Sequence, residues 1–327
     1  MKALLLKAPG KPDTLTVSEL PVPEPGPGEI RVQVRTASLN PIDYKVSLNG
    51  HPDWVYPFVL GVDVAGVVDT VGEGVTQWSP GDRVVYHGSF VKPGGYAEYS
   101  VTKAHTAASI PEGITFVEAA AFPCAGLTAY QALQRKMRLQ AGQSILVHAG
   151  AGGVGGYAIQ LARTFGASTI ITTTSPANFD YVKSLGAHLA IDYNHENVRE
   201  RVMEATNGLG VDCILNSINR STAQEDLSML SFGGQLACIA GAPETVADFQ
   251  PSHQTFTVHK MMLGGAHVSG DVRAEQELGQ MAAEFMELMT AKKVEPMVTE
   301  VISLKDVPEA LIRLSQRHVR GKIVAEL

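Results

Sequence analysis

The residues of this chain whose types and spacing first suggest chemistry lie in SILVHAGAGGVGGYAIQLARTFGAS, Ser144–Ser168. Gly150, Gly152 and Gly155 fit G-x-G-x-x-G after an apolar run and ahead of an amphipathic one. At a strand-to-helix junction that spacing cradles the pyrophosphate of a dinucleotide. Gly150 permits the tight turn, Gly152 lets backbone approach the phosphates, and Gly155 lets the helix pack closely. Gly153 and Val154 fall at the helix start, where free N–H groups and the positive dipole end attract phosphate. No G-K-[ST] ending follows, so an ATP or GTP loop is not indicated.

The next question is which dinucleotide. A site for NAD places Asp or Glu at the end of the second strand, about 20 residues after the glycines, to bind the ribose 2′-hydroxyl. Here that region reads Thr172, Thr173, Thr174, Ser175, and the first acid is Asp180. A carboxylate there would repel a 2′-phosphate by about 1–4 kcal/mol, whereas small hydroxyl residues leave room and donate hydrogen bonds. The spacing predicts NADPH.

These residues need elements to hold them. After FVEAAAFPCAGLTAYQALQRKM, apolar runs (SILVHA, STIITTT, HLAIDY, CILNS, QLACIA) alternate with helical patterns (VGGYAIQLARTFG, NFDYVKSLG, ENVRERVMEATN, TAQEDLSMLSFG). That order predicts a parallel sheet covered by helices on both faces. Roughly the first 115 residues differ, with short period-two runs such as EIRVQVRTASL broken by Pro and Gly, and predict a barrel-like or sandwich-like β domain. A polar helix, RAEQELGQMAAEFMELMTAKK, then LKDVPEALIRLSQ and a last strand, KIVAEL, follow after about residue 262, and that strand is expected to return to the first domain.

Bulk composition narrows the function classes. The chain has 327 residues, 45% hydrophobic and 18% charged, with a net charge of −7. The size suits two domains, and the acidic balance argues against nucleic acid or anionic membrane as a partner. Four apolar residues precede Lys7, too few for a signal-peptide core, and no run is long enough to span a bilayer. Cys124, Cys213 and Cys238 lie far apart in apolar surroundings, as in a reducing compartment. A cytoplasmic location is expected.

NPIDYK (Asn40–Lys45), GVDVAGVV with VGEGV, PGDRVV, GGYAEY, AAAFPCAGLTAY, HAGAGGVG, LGAHLAIDY and RGKIV follow one another along the whole chain. Together they resemble the zinc-free quinone oxidoreductase, zeta-crystallin-like branch of the medium-chain dehydrogenase/reductase superfamily. The resemblance implies an α/β protein. Residues 1–123 and 263–327 would form a GroES-like, β-rich catalytic domain, and 124–262 a Rossmann NADP(H)-binding domain with a doubly wound parallel sheet. The active site would lie in the cleft between them, and a homodimer is the family's habit. Zinc alcohol dehydrogenases of the same superfamily carry a Cys early in the first domain and a Gly-His-Glu motif. Here those stretches read LNPIDYK and LGVDVAG, with Asn40 or a neighbour for the Cys, Val62 for the His and Asp63 for the Glu. Catalytic zinc needs three protein ligands and structural zinc typically four, so no metal is expected.

Without a Lewis acid, the substrates expected are those that accept hydride readily: quinones and α,β-unsaturated carbonyls. Their anionic products need only hydrogen-bond donors and a proton. By resemblance, the NPxDxK loop lies beside the nicotinamide, with Asn40 orienting the carboxamide or the substrate oxygen. Lys45 or Tyr44 would stabilise the oxyanion or donate the proton, though many bacterial relatives have Tyr at the Lys45 position. Asp43 either joins this group or caps a turn and pairs with Lys45. Thr128 would point at the nicotinamide ring, or else serve as a helix-start hydroxyl. Tyr193, Thr174, Ser175 and Asn178 would surround the adenosine 2′-phosphate. Asn216 and Ile239 to Gly241 would line the ribose and carboxamide. Trp54, Tyr56, Phe58, Tyr86 and Phe90 supply one or two pocket walls at most. His51, His87, His148, His253 and His267 have no ligand spacing.

Two other functions fit the same residues. One is a trans-enoyl reductase acting on acyl thioesters, which SPANFDYVKSLGA resembles locally. The other is a non-catalytic, crystallin-like NADPH-binding protein.

Overall fold

A computed structural model describes residues 1–246, 254–317 and 319–327, so His253 lies outside the described residues. The chain divides into two compact units, Met1–Leu127 with Leu263–Lys292 and Pro296–Leu327, and Thr128–Met262 with Lys293–Glu295.

The first unit opens with strands β1 (Lys2–Leu6), β2 (Thr16–Glu19) and β3 (Glu29–Ser38). Ile30, Val32 and Val34 alternate inward on β3, as the period-two pattern requires. Helix α1 (Pro41–Asn49) follows, where the sequence reading has a loop. Proline reads as a breaker, but Pro41 stands at the first helical position, where its fixed φ and missing N–H cost nothing. Strands β4 (Phe58–Val59), β5 (Asp63–Val71), β6 (Arg83–His87), β7 (Tyr99–Lys103) and β8 (Ala107–Ser109) come next, then helices α2 (Phe116–Ala120) and α3 (Pro123–Tyr130), whose residues from Thr128 on belong to the second unit.

The second unit contains β9 (Ser144–Val147), α4 (Gly153–Thr164), β10 (Thr169–Thr174), α5 (Phe179–Leu185), β11 (Leu189–Asp192) and α6 (Val198–Ala205). It continues through β12 (Val211–Asn216), α7 (Arg220–Asp226), β13 (Leu230–Cys238) and β14 (Phe256–Lys260). The six strands run parallel in the order β11-β10-β9-β12-β13-β14. That is the doubly wound dinucleotide order, with its switch point between β9 and β12. The helix expected through SMLSFG stops at Asp226, and β13 begins at Leu230. Gly233, the last residue of that expected helix, lies with Gly234 inside β13, where its register with β12 shifts. Lys293–Glu295 belong with this unit because Gln160 of α4 donates to the Glu295 carbonyl (3.2 Å) and accepts its N–H (2.8 Å).

The chain returns to the first unit in α8 (Val272–Thr290), β15 (Val298–Ser303), α9 (Val307–Ser315) and β16 (Lys322–Glu326). Leu278, Met281, Ala282, Phe285, Met286 and Met289 form one buried stripe along α8 at helical spacing. The terminal strand β16 pairs antiparallel with β3, joining Val324 to Ser38. Cys124 stays with this unit, whereas the sequence boundary falls before it: its N–H donates to Asp63 Oδ1 at 2.7 Å, and Phe122 stacks on Phe285 nearby. No helix among the described residues is long and apolar enough to cross a membrane.

Candidate active site

In the second unit the glycine turn closes on the end of β9, where the parallel order places a ligand site. The left-handed residue of that turn is Ala149 (φ 54°), not Gly150 as the motif alone suggests. Gly150 is required for space, because a Cβ there would meet the Thr172 hydroxyl. A Cβ on Gly155 would run into the Ala149 carbonyl and the Gly150 Cα. Gly152 caps α4, and Gly153, Val154 and Gly155 form its first turn, whose N–H groups have no acceptor within the helix. These residues fit a pyrophosphate.

The strand ends around the turn are polar without being acidic at β10. Thr174 is buried, Ser175 follows it, and Asn178 Nδ2 donates to Ser175 Oγ at 3.1 Å. Tyr193 is 56% exposed just beyond β11. Sequence reasoning missed Asp192, which stands in register with Thr174. Its carboxylate faces His195 Nδ1 at 2.6 Å and accepts the Asn194 N–H at 3.1 Å, contacts that hold it below the ordinary range, the histidine first. The only sequence sign was an acid closing the apolar run HLAIDY. At the end of β12, the Asn216 side chain turns inward to Asp226 (2.6 Å), while its carbonyl accepts the Ile239 N–H at 2.9 Å. Gly241 follows with φ 147°.

The polar loop of the first unit has a different character. Asn40 and Asp43 are buried, Tyr44 packs against an apolar cluster, and Lys45 is exposed on α1. The Asn40 amide is consumed within the unit: Nδ2 donates to Asp63 Oδ2 at 2.7 Å and Oδ1 accepts from Lys322 Nζ at 2.6 Å. Lys322 also donates to the Leu39 carbonyl (2.9 Å) and lies 3.6 Å from Asp63 Oδ2. Ser38 donates to the same carboxylate oxygen at 2.7 Å. A buried ammonium is therefore the centre of the group. Sequence reasoning missed Lys322, whose sign was a lysine opening the apolar run KIVAEL.

Asp43 takes its turn-capping alternative. Its Oδ2 accepts the Asn40 N–H (2.8 Å) and the Tyr96 hydroxyl (2.9 Å), Oδ1 is buried without a partner, and no ion pair joins it to Lys45 among the described residues. Burial pushes its carboxyl up to about 7 from 3.8, against the opposing pull of the Asn40 N–H and Tyr96. A raised acid lends stability that is complete below about pH 4 and lost as pH rises through about 7. Burial drives His87 and His267 down to about 4, which loses stability in the opposite direction, as pH falls below their free value. Comparison with Asp43→Asn isolates the aspartate. Between pH 4 and 8 the wild type should lose up to roughly 4 kcal/mol relative to the variant, read from urea midpoints. Parallel pH profiles would contradict the assignment.

Thr128 is buried in α3 at the start of the second unit. Trp54 stacks on Phe58 at 4.1 Å and donates to the Phe90 carbonyl, which makes them packing, whereas Tyr86 belongs to a core cluster of the first unit and also borders a cavity there. A cavity of about 400 Å³ in the first unit, bordered by Leu20, Val91 and Val101, is lined by none of Asn40, Tyr44 or Lys45.

Among the described residues, one group has metal-ligating atoms close together: Asp63, His87 and Cys124, within 4.8 Å of one another. Burial pushes the Cys124 thiol up and holds His87 neutral. Asp63, however, is already committed, Oδ1 to the Cys124 N–H and Oδ2 to Ser38 and Asn40, beside Lys322. A divalent ion would have to share that oxygen with an ammonium, so these residues do not fit one.

A GroES-like unit and a unit with a Rossmann-like parallel sheet in one chain place it in the medium-chain dehydrogenase/reductase superfamily. The alcohol dehydrogenase GroES-like domain matches residues 26–112, and the zinc-binding dehydrogenase domain matches 153–290. Within that superfamily the chain belongs with the quinone oxidoreductases. It is 32% identical to quinone oxidoreductase of Pseudomonas aeruginosa, over 99% of this chain and 98% of the relative. The Pseudomonas syringae quinone oxidoreductase structure superposes with a TM-score of 0.90 at 29% identity, over 100% of this chain and 99% of that one. Mycobacterial Rv1454c complexed with NADPH gives 0.89 at 30% identity, covering 100% of both chains. The protein is an NAD(P)-dependent oxidoreductase.

Proposed function

We propose that the protein is an NADPH-dependent reductase of quinones or α,β-unsaturated carbonyls that works without zinc. The observation that carries this reading is the engagement of Asp63 by Lys322, Asn40 and Ser38, which leaves substrate activation to hydrogen bonding and charge. Gly152 to Gly155 would hold the pyrophosphate. Thr174, Ser175, Asn178 and Tyr193 would take the adenosine side, where β10 ends without a carboxylate. A bound reduced nicotinamide supplies the hydride. Lys45, exposed and without an ion-pair partner among the described residues, supplies positive charge to the oxyanion and a proton to complete the reduction. Tyr44 is the second candidate donor, while Asn40 and Asp43 fix the start of the helix that carries both. NADPH deuterated at the transferred position should place deuterium on the β-carbon of an alkyl enone, and label-free product would exclude that hydride route.

The cofactor preference has its own test. Ser175→Asp should weaken NADPH at least about tenfold through repulsion of the 2′-phosphate, with NADH changed less than about threefold. Equal losses for both would mean that the end of β10 does not face the 2′ position.

A second reading, trans-enoyl reduction of acyl thioesters, is favoured by another relative. The chain is 32% identical to the Streptomyces venezuelae pikromycin polyketide synthase component PikAII, over 98% of this chain but 8% of that protein. Turnover of an enoyl thioester at rates above those for quinones would select it.

A further inference from the structure

A second buried polar chain runs through the unit that carries the glycine turn. His148 Nε2 lies 2.8 Å from Asp226 Oδ1, Asn216 donates to Asp226 Oδ2 at 2.6 Å, and Asn216 Oδ1 accepts the Ile218 N–H at 2.9 Å. On its other side, His148 Nδ1 is 3.2 Å from Thr173 Oγ1, which accepts the Ala149 N–H at 3.1 Å. The Thr173 carbonyl accepts the Gly150 N–H at 3.1 Å. Because Asp226 can only accept, the network assigns the imidazole proton to Nε2, and the Thr173 hydroxyl donates to Nδ1.

His148, Asp226, Asn216 and Thr173 are each at most 4% exposed, so no substrate reaches them and a catalytic dyad is excluded. What they touch is instructive. Thr173 holds both N–H groups of the left-handed Ala149–Gly150 step, and Asn216 holds the loop that leaves β12. Those two segments flank the switch point of the sheet.

We propose that Thr173, His148 and Asp226 are positioning residues for the pyrophosphate and nicotinamide half of the cofactor, locking the glycine turn and the loop after β12 into one geometry. The inference rests on the dinucleotide reading above.

The test compares NADPH with 2′-AMP, which carries only the adenosine 2′-phosphate end, on the full chain. Thr173→Val removes the acceptor for the Ala149 N–H and should weaken NADPH about tenfold. Binding of 2′-AMP should change less than about twofold, and Thr173→Ser should restore NADPH binding. Asp226→Asn, which cannot accept from both neighbours, should repeat the split. In nitrogen NMR, it should also move the His148 ring signals away from the Nε2–H tautomer. Unchanged NADPH affinity in both Thr173→Val and Asp226→Asn would overturn the proposal, as would equal losses for the two ligands. Wild-type protein that binds neither ligand would instead remove the dinucleotide reading itself.

Discussion

Lys322→Met should destabilise the first unit by about 3–5 kcal/mol, the usual cost of breaking a buried ion pair from one side. Two groups lose their hydrogen-bond donor, the Leu39 carbonyl and Asn40 Oδ1, and the Asp63 carboxylate loses its counter-charge. None of them is open to water, since Leu39, Asn40 and Asp63 are each at most 2% exposed. Both tryptophans, Trp54 and Trp78, belong to this unit, so urea unfolding followed by tryptophan fluorescence reports on it alone. The double variant Asp63→Asn/Lys322→Met should recover much of the loss, because the amide no longer buries an uncompensated charge. A single-variant loss below about 1 kcal/mol would mean that the ammonium is not the anchor of this network.

Gly155→Ala should cost about a hundredfold in dinucleotide affinity, roughly 2.7 kcal/mol. The obstacle to the added methyl is backbone, the Ala149 carbonyl and the Gly150 Cα, so no side-chain rotation relieves it. The turn must open, and the first-turn N–H groups of α4 then move off the pyrophosphate. Gly208→Ala serves as the control, since space around that residue is empty although its φ is 81°. It should reduce stability modestly and leave affinity alone. If Gly155→Ala bound cofactor like the wild type, the glycine turn would not be the phosphate cradle.

How much of this was legible depended on the distance over which each signal acts. The glycine turn and the five strand runs are local patterns, and the chain folds as they indicate, whereas α8, read as a polar helix, buries a stripe of Leu, Met and Phe that its many charged residues masked. The Ala149 backbone was not legible, because the motif names glycine for the turn while Thr173 holds alanine in the left-handed region. The start of α1 was hidden by Pro41, which ends some helices and begins others. The central ammonium was the hardest to see. Lys322 is 282 residues from Asn40, and only the pairing of β16 with β3 brings it near. Asp63 and His87 meet through the register of β5 and β6, which their spacing along the chain does not encode. Asn40, a polar residue expected to orient the carboxamide or the substrate oxygen, spends its amide on those hidden neighbours.

The most direct test of the account is steady-state oxidation of NADPH by chelator-treated, metal-free protein offered a 1,4-quinone and an alkyl enone, with NADH in parallel. The account predicts turnover unchanged by chelation, faster with NADPH, with one of the two acceptors reduced. Activity that vanishes on chelation and returns with added zinc would contradict it, and would put a metal where Lys322 is found to hold Asp63.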